Sequence, residues 1–229
     1  MQNIKNNKPL VKVIVLLICG GLVLSSVAAA IISITEPQPT EDPSAIYRSQ
    51  LAQVETVIVQ TEKSLEEKPG NVALLKQLGN AYYTAGQLQA ALNEAEKSLE
   101  SFAQALEPYG KVLEQEPDNV EVLVDRAVAA YASENNEIAQ EDFEKAIAVA
   151  PNHAKARFNY GVFLYFGLAQ PEEALAHWQK VVELNPEDEQ ELVATTKTWI
   201  KAVEAELAEQ AAELEAETNE EDSAKTDAE

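Results

Sequence analysis

The chain is short of the residues from which active sites are assembled. Its single cysteine, Cys19, excludes an intramolecular disulfide, a paired-cysteine redox motif and a zinc knuckle. The two histidines, His153 and His177, have no cysteine or second histidine at metal-ligand spacing, and acid–base work by a histidine needs a positioned partner. Eight glycines are spread thinly, with Gly20-Gly21 as the one adjacent pair, so nothing downstream makes a glycine-rich phosphate loop. The expectation is a non-enzyme with no catalytic, cofactor-binding or metal-binding residues.

Basic residues are also scarce, 17 against 39 acids, and unevenly placed. Residues 1–35 hold three lysines and no acid, so the acidic excess lies entirely in the rest of the chain. Such a body repels nucleic acid and anionic headgroups, which leaves a basic partner or simple solubility as the use of the charge.

What the sequence does have begins with Val13–Thr35, 23 residues without a charge. As a helix it is ~34 Å long against a hydrocarbon core of ~30 Å. Lys5, Lys8 and Lys12 precede it, so residues 1–35 read as a single-pass anchor in the cell membrane, amino terminus cytoplasmic and the remainder exported. A cleaved signal peptide is the alternative, with Ala28-Ala29-Ala30 as the small residues at the cleavage site and a secreted or periplasmic product. The hydrophobic run continues through Ile31, Ile32 and Ile34, which favours the anchor. Residues 36–42, rich in proline and devoid of apolar side chains, read as an extended linker.

Cutting the chain at its prolines exposes internal similarity among Val72–Pro117, Val120–Pro151 and Ala154–Pro186. The second segment has Leu123, Ala127, Ala139, Phe143, Ala146 and Pro151 in a regular pattern that Arg126 breaks, with Tyr131 one place late. The third has Gly161, Ala174, Trp178, Val181 and Pro186, with one extra loop residue between Gly167 and Pro171. In the first, Leu75, Leu78, Gly79 and Tyr82 open a helix, and fourteen extra residues fall before Ala105, Tyr109 and Pro117. This pattern resembles the tetratricopeptide repeat, a helical hairpin of about 34 residues. The resemblance implies an all-α helical-hairpin solenoid with three repeats over residues 69–186, behind an N-terminal transmembrane helix and ahead of a C-terminal capping helix.

The flanks follow the same logic. Residues 43–68 carry Tyr47, Leu51, Val54, Ile58 and Leu65 at steps of three and four, which reads as a helix capping the first repeat, or as the seam of a coiled coil with a second copy. Residues 187–217 read as the polar capping helix that solenoids need, and residues 218–229 as a disordered acidic tail, solvated or used in docking. The fourteen extra residues are read as an insertion in one long second helix. There Leu88, Leu92, Ala95, Leu99, Phe102, Leu106, Tyr109 and Leu113 form one stripe, and Pro108 is expected to kink or break the helix between Gln104 and Tyr109.

Function follows from the resemblance. In this family a partner peptide or protein lies on the concave face, lined here by Lys76, Asn80 and Tyr83 of the first repeat, Val124, Val128 and Tyr131 of the second, and Lys155, Phe158, Val162 and Tyr165 of the third. A row of tyrosines offers large contact area at little entropic cost, although the same rings would serve in packing against a terminal helix. Lys76, Asn80 and Lys155 match three of the five places with which chaperone-binding members clamp a terminal carboxylate, while Asp125 and Asn159 depart from it. The third repeat and the helix after it also resemble repeat proteins of bacterial cytochrome c maturation, chiefly at His177-Trp178-Gln179-Lys180. The expected role is a membrane-anchored interaction module, with an assembly factor or a self-associating scaffold as alternatives.

Overall fold

The computed structural model describes residues 43–226. Every element among them is a helix: α1 Pro43–Glu67, α2 Val72–Ala91, α3 Ala95–Gln115, α4 Val120–Ala132, α5 Asn136–Val149, α6 Ala154–Gly167, α7 Pro171–Leu184 and α8 Gln190–Thr226. The expected membrane segment, the linker and residues 227–229 lie outside the described residues. Among the described helices none is long and apolar enough to cross a membrane. The chain divides after Pro151 into two compact units, α1–α5 and α6–α8.

Proline and a polar cap set the helix boundaries. Helices α1, α3, α5 and α7 each stop two residues before a proline, at Pro69, Pro117, Pro151 and Pro186. Proline disfavours helical geometry in the residue ahead of it. After the first three of these prolines a side chain in extended backbone restarts the helix. Asn71 accepts from the Leu74 amide at 3.0 Å, Asn119 from Val122 at 3.2 Å and His153 Nδ1 from Ala156 at 3.1 Å. Within each hairpin the chain reverses through a non-glycine residue in the left-handed region: Asn93 (φ 60°), Glu134 (φ 67°) and Ala169 (φ 55°).

The first of these reversals corrects the expected single long helix. The chain turns at Leu92–Glu94, so the apolar stripe from Leu88 to Leu113 belongs to two antiparallel helices. Helix α2 has 20 residues where α4 has 13, and α3 has 21 where α5 has 14. The insertion is therefore shared as one heptad per helix, lengthening the hairpin by about 10 Å. The expected break at Pro108 is also absent: α3 runs unbroken through it. Helix α3 is packed between α2 and α4, and that tertiary contact outweighs the missing backbone donor.

Heptad duplication has a visible signature in packing. A β-carbon added to Gly79 would lie 2.6–2.9 Å from the Tyr109 ring, and one added to Gly86 would lie 2.8–2.9 Å from the Phe102 ring. The second contact lies seven residues along α2 and seven back along α3. The long hairpin thus holds two layers of bare backbone against an aromatic ring, where the ordinary hairpin has one. In the second repeat Ala127 and Phe143 stand at those places, exposed 0% and 1%. In the third the same approach joins Gly161 to Trp178.

In the first unit each helix packs on the next, α1 on α2 through to α4 on α5. Leu51 of α1 is buried and Val54, Ile58 and Leu65 are half-buried, so the stripe read as a possible coiled-coil seam belongs to the cap of the first repeat. In the second unit α6 packs on α7 and α7 on α8. Helix α8 starts later and ends later than the expected 187–217, and the stretch 218–226 read as disordered is helical. That stretch contains neither proline nor glycine, and nothing in its sequence interrupts the helix.

Candidate functional site

The first unit has an open groove of about 550 Å³ between α1 and α2. Val54 and Val57 of α1 form one wall, and Ala73, Lys76, Asn80 and Thr84 form the other, one turn apart along α2. Lys76 and Asn80, two of the three first-repeat residues expected on the concave side, therefore meet in one groove. None of the residues lining it is acidic, in a chain where acids outnumber bases by more than two to one. Asn80 is oriented from behind, since the Tyr109 hydroxyl of α3 donates to its side-chain oxygen at 2.8 Å. Burial drives the Tyr109 hydroxyl far above the ordinary phenol range, with Asp125 and Tyr83 adding to the shift, so it remains a donor. Tyr83 stands beside the groove, its ring 5.3 Å from that of Phe102 and its hydroxyl accepting from Gln87 at 3.3 Å.

The other expected groove residues divide. Val124, Val128 and Tyr131 of the second repeat are exposed only 1%, 7% and 5%, and Phe158 and Val162 of the third only 2% each. In this conformation these side chains are buried and contribute to packing. Lys155 and Tyr165 keep partial exposure.

Tyr165 belongs to an aromatic cluster that fastens α8 to the second unit. Its hydroxyl donates to Glu206, its ring meets Phe166 edge-on at 4.6 Å, and it lies 6.0 Å from Trp178. Trp199 of α8 closes the set, 5.4 Å from Phe166 and 5.7 Å from Trp178. Burial, followed by the hydrogen bond and the charge of Glu206, pushes the Tyr165 hydroxyl above its usual range. The tyrosine expected to meet a partner here meets the chain's own terminal helix.

Ordinary packing also accounts for the histidines and for Trp178. His153 caps α6. His177 lies edge-on to Tyr160 at 4.7 Å, and burial together with Arg157 pushes its pKa down. Trp178 is fully buried against Gly161 and donates to the Phe158 carbonyl at 3.1 Å. Among the described residues no group of three or more histidine, cysteine or acidic side chains is placed to hold a metal ion.

One pair went unrecognised in the sequence. Arg126, the residue that breaks the repeat pattern, makes two 2.6 Å bonds to both carboxylate oxygens of Asp142, whose side chain is 2% exposed. The hydrogen bonds raise the Arg126 pKa, whereas burial raises that of Asp142 against the pull of Arg126. These shifts oppose one another over whether the pair is charged. Two short parallel bonds fit a guanidinium facing a carboxylate, and the geometry supports the ion pair. A sixteen-residue separation between an arginine and an acid in facing helices was the available signal.

No family model matches the chain. It is 32% identical over 105 residues to the Small glutamine-rich tetratricopeptide repeat-containing protein 2 of Mycosarcoma maydis, a match covering 46% of this chain and 29% of that one. The chain thus spans less than a third of this relative's length. Among solved structures, that titled "Human IFIT1 dimer with PPP-AAAA" superposes with a TM-score of 0.58 at 22% identity, covering 73% of this chain and 39% of that one. A crystal structure of MamA covers 66% and 98% at 18% identity, with a TM-score of 0.32. The first structural likeness shows the fold.

Proposed function

We propose that this tetratricopeptide-repeat protein is a membrane-anchored, non-enzymatic interaction module that holds a protein or peptide partner in the α1–α2 groove, outside the cytoplasm. The groove carries the reading. It pairs an apolar wall with Lys76 and three neutral polar side chains, Gln77, Asn80 and Thr84, and none of its lining residues is acidic. Such a surface suits an extended segment with apolar side chains and an acceptor group for Lys76. The uncharged run Val13–Thr35 behind three lysines supports the anchor and its direction.

The test uses the full chain in its own membranes, with a photocrosslinking residue at Gln77 or Thr84 in the groove and, as control, at Glu173 on α7. A discrete adduct from the groove positions, weakened by on the order of 1 to 3 kcal/mol in Lys76→Glu, is expected. Equal capture at Glu173, or indifference to Lys76→Glu, would count against the groove. The anchor is tested separately by carbonate extraction, where release of a mature form beginning near Ile31 would establish the signal-peptide reading instead.

A further inference from the structure

A second groove in the first unit, of about 610 Å³, lies where α1, α2 and α3 meet, and its chemistry is the reverse of the first. The floor is apolar, made by Leu65 of α1 and Leu75 and Leu78 of α2. The rim carries three exposed carboxylates, Glu62, Glu100 and Glu107, against one cation, Lys111, which is already paired with Glu107 at 2.7 Å. We propose that this groove is a second docking surface, for a short apolar segment bearing arginine or lysine.

Three observations support a cationic occupant. First, Tyr82 at the groove donates to Glu62 at 2.5 Å, and its hydroxyl is pushed up to about 12 by burial, that bond, and the charges of Glu62 and Glu107. Two of the three rim carboxylates, Glu62 and Glu107, thus act on a group inside the groove. Second, Glu62 of α1 and Glu100 and Glu107 of α3 border the same apolar floor, and the one lysine among the lining residues is taken up by Glu107. Third, Glu100 and Glu107 are seven residues apart on α3 and share a helix face, so one extended cationic segment can meet both.

A neutral apolar segment would partly desolvate the carboxylates around it without adding a cation, which is costly. An acidic segment would be repelled.

The experiment measures binding of a synthetic amphipathic probe of leucine and arginine to the full chain, beside a probe in which each arginine is glutamate. The arginine probe is expected to bind and the glutamate probe to fail. Binding should weaken about tenfold in the double variant Glu100→Lys/Glu107→Lys and fall with added salt. Ala103→Arg, at an exposed position on the groove, should abolish it. Lys76→Glu in the other groove should leave it unchanged, so this proposal and the α1–α2 reading fail separately. The control is Glu172→Lys/Glu173→Lys on α7, which changes the net charge equally. An equal loss in the control would reduce the effect to general attraction by an acidic chain and overturn the proposal. Tight binding of the glutamate probe would do the same.

Discussion

Replacing Arg126 by leucine restores the residue type that the repeat pattern calls for, and we expect it to destabilise the protein. The reason is Asp142. Its side chain is 2% exposed, and both oxygens are held by Arg126 at 2.6 Å. Arg126→Leu strands that carboxylate, and Asp142→Ala strands a guanidinium with only 23% of its side chain exposed. Breaking a buried pair from one side costs about 3–5 kcal/mol, whereas replacing both partners with apolar residues is close to neutral. At about 2–4 °C per kcal/mol for a chain of this size, each single variant should melt roughly 6–20 °C lower. The double variant Arg126→Leu/Asp142→Leu should return to within a few degrees of the parent. Urea unfolding followed by circular dichroism would give the coupling energy directly. Single-variant costs below 1 kcal/mol, or a double variant as unstable as the sum of the singles, would refute the buried-pair account.

Two further outcomes follow from named contacts. Gly161→Ala should lower stability by about 1–3 kcal/mol despite the better helix propensity of alanine, because its β-carbon would lie 2.7–2.9 Å from ring atoms of the fully buried Trp178; an unchanged melting temperature would show that the indole can move aside. Tyr82, whose folded pKa of about 12 exceeds the ordinary 10, contributes stability that is complete below pH 10 and is lost as pH rises towards 12. Alkaline titration followed at 295 nm should therefore show a late phenolate, ahead of the still later Tyr109 and Tyr165, that Tyr82→Phe removes, and an unchanged titration curve in that variant would contradict it.

Much of the fold was legible because its signals are local. Proline after each second helix is a short-range pattern with a direct physical cause, and it gave the repeat boundaries. The site was less legible. Lys76 and Asn80 do reach a groove, but Val124, Val128, Tyr131, Phe158 and Val162 are buried, and Tyr165 is taken by α8. A position in a repeat specifies which way a side chain points. Whether something already covers it depends on neighbouring elements, and those lie outside the repeat.

The division of the fourteen-residue insertion shows this limit most clearly. One apolar stripe at steps of three and four continues from α2 through the turn into α3, because a whole heptad returns to nearly the same helical face wherever it is inserted. Periodicity alone therefore fixed that the added residues are helical and which of them are apolar. It carried no information about where the chain reverses, since the turn at Asn93 uses neither glycine nor proline. Only the tertiary structure decided that, by setting Gly86 against Phe102 as well as Gly79 against Tyr109: two contacts between antiparallel helices bury more surface than one long helix alone could.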